Sequence, residues 1–137
     1  MSTITVFHEH PSYRRMKPET IRLTRNVLKG ENCAAVDVTV VFCGDRRIKE
    51  LNKTWLQHNR VTDVISFTLS DPAEPVSGEI YINVDQAVRQ APEFNATVID
   101  ELRRLVVHGV LHLAGHDDGT DELRAAMAAR ENTYLLS

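Results

Sequence analysis

The chain has 137 residues, 42% of them hydrophobic and 26% charged, a balance that fits one compact folded domain and excludes a disordered polypeptide. No apolar run approaches the roughly 18 residues that cross a bilayer, and the opening MSTITVFHEH lacks a basic segment followed by an apolar one, so a soluble, unexported, cytoplasmic protein is expected. The net charge of -3 hides an asymmetry: residues 1–60 carry 11 Lys and Arg against 6 Asp and Glu, whereas residues 61–137 carry 5 against 13. The first part offers cations to a polyanion; the second offers carboxylates to a cation or to acid–base work.

In chain order, ITVF alternates like a short strand, and Pro18 followed by Ile21, Leu23, Val27 and Leu28 predicts a helix with Gly30 just past its end. Residues 35–43, AVDVTVVFC, are β-branched with Asp37 and Thr39 on the alternate face, so they read as a strand with one polar side. A second helix follows in GDRRIKELNKTWL, where Ile48, Leu51 and Trp55 share a stripe and Arg46, Arg47, Lys49 and Lys53 lie off it. Segments 61–69 and 78–84 are strand-like, and a hairpin joins them through a polar loop containing Asp71, Pro72 and Pro75. A long helix then starts at about Asn95 or Thr97, where Thr97 and Asp100 form a T-x-x-D cap, and runs through Leu102, Leu105, Val106 and Leu113 to Gly115, and a last helix occupies about 120–135. The sum is a single α+β domain over 1–137 with about four strands in a mixed sheet packed with helices. Cys33 and Cys43 lie in or beside apolar sequence without CxxC spacing and read as small core residues of a reducing compartment.

The long helix contains HGVLHLAGHDD, residues 108–118. His108 and His112 are four positions apart, so they project from one helical face one turn above the other and their imidazoles can meet a single metal ion. In the HExxH arrangement the residue after the first histidine is the glutamate that activates water; here it is Gly109, and this helix supplies no such base. A glycine inside a helix costs about 1 kcal/mol relative to alanine, which implies a close approach of another backbone or of a ligand beside His108. Gly115 ends the helix in a left-handed turn, after which His116, Asp117 or Asp118 can fold back as the third ligand. A lone histidine on an apolar face is more simply a hydrogen-bonded core residue, but an i, i+4 pair followed by three further donors points to metal.

HGVLHLAGHDD also resembles the signature H-G-x-L-H-L-x-G-x-D-H of the YbeY family. The similarity extends to Leu51, Asn52 and Trp55, to Thr62, Asp63, Val64, Ile65, Ser66 and Phe67, and to Gly78, Glu79 and Ile80, which stand in that family's order. The resemblance covers about residues 48–118 and implies a metal-dependent single-strand endoribonuclease, usually with zinc, acting in ribosomal RNA maturation and ribosome quality control. It implies RNA or the ribosome as partner, with no membrane and no DNA. The chain departs from the signature twice. Asp118 stands where the family's third histidine falls, and Leu56 stands where an arginine commonly follows the aromatic residue.

An Asp ligand suits zinc and tolerates Mn²⁺ or Mg²⁺ better than a third imidazole would, while its charge leaves the metal a weaker Lewis acid. The expected ligands are therefore His108, His112 and Asp118, with His116 as the alternative third. Asp63, Glu79 and Asp117 are unranked candidates for the proton acceptor, with Ser66 as a further polar neighbour. Arg46, Arg47, Lys53 and Arg60 are candidates for phosphate contact, and Trp55 or Phe67 for stacking a base. The same metal chemistry also fits a hydrolase of another substrate class, or a non-catalytic ribosome-associated module with a structural metal.

Overall fold

The computed structural model describes residues 3–56 and 61–136, with the side chains of residues 35, 36, 55 and 56 left aside. Arg60, named above for phosphate contact, lies outside the described residues. So do the side chains of Trp55 and Leu56.

Strand β1 (Thr3–His8) leads into helix α1 (Lys17–Gly30), then β2 (Ala35–Cys43), α2 (Asp45–Leu51) and a π-helical turn over Asn52–Leu56. Strands β3 (Val64–Thr68) and β4 (Val76–Asn83) follow, then α3 (Val84–Gln90), a 3₁₀ turn (Ala91–Phe94), α4 (Val98–Leu113) and α5 (Asp121–Leu135). The strand order is β1-β2-β4-β3. β2 pairs parallel with β1 and with β4, while β3 and β4 form the antiparallel hairpin. The architecture is the expected α+β domain with a four-stranded mixed sheet.

Because side chains alternate across a strand, the sheet has two unlike faces. Val38, Val40 and Phe42 from β2 and Ile80 and Ile82 from β4 join Leu23, Val27 and Leu28 of α1 and Leu102, Leu105, Val106 and Val110 of α4 in one apolar core. The other face is smaller: Val41, Cys43 and Ile65 meet Ile48 and Leu51 of α2, with Phe67 and Tyr81 at their border. Cys43 is a buried thiol whose pKa burial pushes up to about 12, and Cys33 is half-buried; both are free.

Gly30 differs from its expected role, and Gly109 keeps the close approach expected of it. Gly30 is the last residue of α1 rather than a turn beyond it, and a Cβ there would overlap the Tyr134 ring of α5, so packing selects it. Gly109 is the close-approach glycine of α4, and its neighbour is the sheet: a Cβ would sit 2.6 Å from Ile80 Cγ2 and 3.3 Å from Ser66 Oγ. The Ser66 hydroxyl also donates to the Gly109 carbonyl at 3.0 Å. That contact seats α4 on β3 and β4 and fixes the height of His108 above the sheet.

Helix α3 was not foreseen, since residues 78–84 read as one strand that stops. The chain turns into helix where the Asn83 side chain caps it, accepting from the Gln86 backbone N–H. Among the described residues no helix is long and apolar enough to cross a membrane.

Candidate metal centre

Helix α4 begins at the expected cap, with Thr97 Oγ1 accepting from the Asp100 N–H at 3.1 Å. Its end is equally specified. The His116 N–H returns to the Leu111 carbonyl and the Gly115 N–H to the His112 carbonyl, both at 3.0 Å, with Gly115 at φ 103°. This pair of bonds is the glycine-terminated helix end in which only a residue without a Cβ adopts the turn easily. It redirects the chain so that Asp118 lies back against the last turns of α4.

There the three side chains meet. His108 Nε2 and His112 Nε2 are 3.0 Å apart, and Asp118 Oδ2 lies 3.3 Å from the first and 3.5 Å from the second. Around a tetrahedral zinc ion with bonds of about 2.0–2.1 Å, neighbouring donors would be roughly 3.3 Å apart. The donor set, two imidazoles and one carboxylate, therefore fits a divalent cation in both chemistry and spacing. It is also the one such grouping of His, Cys, Asp and Glu found among the described residues.

His116, the alternative ligand, is elsewhere. Its ring bonds Glu31, a buried carboxylate at the end of α1 that also receives the Tyr134 hydroxyl and the Arg130 guanidinium. Burial alone would raise the Glu31 pKa, but these bonds hold it below the usual carboxylate value. His116 thus ties the loop to α1 and α5 rather than facing the cluster.

On its far side His108 Nδ1 lies 2.6 Å from Glu131 Oε2. Glu131 belongs to α5, its side chain is 8% exposed, and Arg104 Nη1 donates to its other oxygen at 2.9 Å. An ionised carboxylate only accepts, so the neutral tautomer that fits this contact carries its proton on Nδ1 and leaves Nε2 facing the cluster. Burial pushes the His108 pKa down, but the Glu131 bond and charge, with Asp118 and Asp63 beyond, outweigh it and leave the pKa raised. Neither Glu131 nor Arg104 was singled out from the sequence. The signal was weak: one acid on a helix that is otherwise mostly exposed.

A cavity of about 550 Å³ opens over the cluster, lined by Asn52, Thr62, Asp63, Ser66 and Thr68 along with His108, His112 and Asp118. The candidate bases separate here. Asp63 lines this cavity, its Oδ2 accepting from the Gln90 amide at 3.0 Å, and the same amide donates to buried Glu101. Glu79 does not line it: it pairs in register with Phe67 on the α2 side of the sheet and accepts from the Tyr81 hydroxyl. Phe67 is on that side too, packed edge-on to Tyr81 at 6.0 Å, so it does not face the cluster. Asp117 is an exposed turn residue whose carboxylate accepts the Asp118 N–H at 2.7 Å.

Of the candidate cations, Arg47 is engaged by Glu9 through two bonds, at 3.1 and 2.7 Å. Arg46 is exposed, 3.5 Å from Glu50, and Lys53 is exposed in the π-helical turn beside Asn52.

The family model described as Endoribonuclease YbeY matches residues 7–137. The chain belongs to the YbeY family. Among its relatives, an Endoribonuclease YbeY of Chloroherpeton thalassium is 41% identical over 111 residues, covering 81% of this chain and 78% of that protein. The Endoribonuclease YbeY of Chlorobaculum tepidum is 42% identical over 117 residues, covering 85% and 82%. A Thermotoga maritima protein solved in solution superposes with a TM-score of 0.70 at 30% identity, covering 97% of this chain and 87% of that one. The YbeY match thus spans both the α4 cluster and the α5 residues that contact it.

Proposed function

We propose that the protein is a cytoplasmic, metal-dependent endoribonuclease that hydrolyses phosphodiesters of single-stranded RNA, and that it serves ribosomal RNA maturation and ribosome quality control. The observation that carries this reading is the convergence of His108, His112 and Asp118 beneath an open cavity, in a chain of the YbeY family. Three protein donors facing a cavity match the pattern of a catalytic site, which leaves a ligand position to water or substrate, whereas a structural site is closed by a fourth protein donor. That favours a hydrolase over a structural metal staple.

His108, His112 and Asp118 would hold the ion, zinc in the first instance, with Mn²⁺ or Mg²⁺ tolerated through the carboxylate. Bound there, a divalent cation supplies Lewis-acid polarisation of a phosphoryl oxygen and acidifies water. The remaining work falls to this chain's own side chains. Asp63, at the cavity wall and oriented by Gln90, is the proton acceptor in this reading; its reach into the same cavity is what Glu79 and Asp117 lack. Asn52, Thr62, Ser66 and Thr68 present the polar wall against which a phosphodiester is oriented. Arg46 of α2 and Lys53 of the π-helical turn, together with the sequence candidate Arg60, would follow the RNA backbone, and binding would weaken as salt rises.

Purified protein should cleave a labelled single-stranded RNA at internal positions. Chelation should abolish the activity and Zn²⁺ or Mn²⁺ restore it, with duplex RNA and single-stranded DNA left intact. Cleavage that survives complete metal removal would overturn the metal-dependent reading, and equal cleavage of all three nucleic acids would overturn the substrate.

A further inference from the structure

Helix α5 raises a question of economy. It buries only Met127 and Glu131 among its residues, and one of the two is an acid. A carboxylate withdrawn from water is costly unless it is paired and hydrogen-bonded, and an apolar residue one turn beyond Met127 would dock the helix more cheaply. The partners of Glu131 indicate what the acid does there: one oxygen takes the His108 Nδ1–H at 2.6 Å and the other takes Arg104 Nη1 at 2.9 Å. Arg104 is held in turn by Asn132 Oδ1 at 2.7 Å. The carboxylate is fixed at both ends by α4, one turn of helix apart.

We infer that Glu131 is a positioning residue for the metal centre, fixing the ring angle and tautomer of His108 so that Nε2 is presented as a lone pair toward His112 and Asp118. This rests on His108 being a ligand, as proposed above. A histidine ligand whose second nitrogen donates to a carboxylate is oriented and made more basic, and loss of such a partner typically costs 10- to 100-fold in metal affinity. Arg104 stops the carboxylate from rotating away. Through this chain of contacts α5, which contributes no donor of its own, becomes part of the site.

The test compares zinc affinity, measured by competition with a chromophoric chelator, in the whole protein and in Glu131→Gln, Glu131→Ala and His108→Ala. Glu131→Gln keeps the size and an accepting oxygen but not the charge. It should leave the metal-free melting temperature within a few degrees of wild type while weakening zinc binding about tenfold, with Glu131→Ala weaker still. Nitrogen-15 NMR of the wild type should show His108 protonated on Nδ1 and coordinating through Nε2, a readout that does not depend on any variant folding. Wild-type zinc affinity in both Glu131 variants, with affinity lost in His108→Ala, overturns the inference alone. Unchanged affinity in His108→Ala overturns the ligand assignment and the inference with it, as does an Nδ1-coordinated His108.

Discussion

Asp118 stands at the position where the family signature carries a histidine, and the substitution changes charge as well as shape. An imidazole donor leaves the ion's charge whole; a carboxylate cancels one unit of it and presents a harder oxygen. Asp118→His should therefore shift selectivity toward zinc, raising the ratio of zinc to manganese affinity by about tenfold, which competition titration with each metal would show. An unchanged ratio would mean that Asp118 is not a donor. At this scale His108 and His112 were legible because helical spacing alone places them on one face. Gly115 was legible because few other residues end a helix that way. Glu131 was not, because its meaning depends on Arg104 and His108 on another helix, and local sequence does not show which face of α5 docks. Nor could spacing separate Asp63 from Glu79. Both lie in strand-like sequence, and only the pairing register sends Phe67 and Glu79 to the face opposite α4.

At the scale of elements, the long helices were readable from their caps and periodicity, and α3 was not. Its seven residues follow β4 without a break, and strand pattern masks the N-x-x-Q cap formed by Asn83 and Gln86. Asn83 is fully buried and does more than cap: its amide donates to Asp45 Oδ1 at 2.9 Å and to the Thr62 carbonyl at 3.1 Å, tying α2 and the segment before β3 to the end of β4. Asn83→Ala removes the cap and strips buried partners, so thermal or urea unfolding should show a loss of about 2–3 kcal/mol.

Helix α4 carries an opposite case in Glu101, which is 3% exposed. Burial pushes its pKa above the usual carboxylate value, with Asp63 and Glu131 adding to the rise and Gln90 and Arg104 opposing it. A carboxyl whose pKa is higher in the folded state contributes stability below its unfolded pKa and loses it as pH rises through the folded one. Glu101→Gln should therefore melt higher than wild type at pH 7 to 8, with the difference shrinking toward pH 4. Melting curves across that range with no such convergence would count against a buried, charge-destabilised Glu101.

For the molecule as a whole, composition and pattern were enough for an α+β domain with a four-stranded mixed sheet, since all four strands and all of the long helices announce themselves locally. The strand order was beyond reach. β4 inserts between β2 and β3, a pairing of residues about 40 positions apart, and no local signal specifies which distant strand a buried run will choose. Yet that order builds the site. It brings β3 and β4 beneath α4, seats Gly109 on Ile80 and Ser66, and sets Asp63 beside His108 in one cavity. The acidic second half supplies Asp63 and Asp118 to the cavity and Glu131 behind His108, while the first half supplies Asn52 to the cavity wall.

The most direct measurement is the rate of cleavage of one single-stranded RNA by the wild type, His112→Ala and Asp118→Ala, with the metal content of each protein determined on the same preparation. Both variants should lose bound metal and at least about 100-fold in rate, while His116→Ala, which disturbs only the Glu31 contact, keeps its metal. Equal cleavage by the wild type and both variants would contradict the account. Full metal retention in Asp118→Ala with loss in His116→Ala would contradict its choice of third ligand.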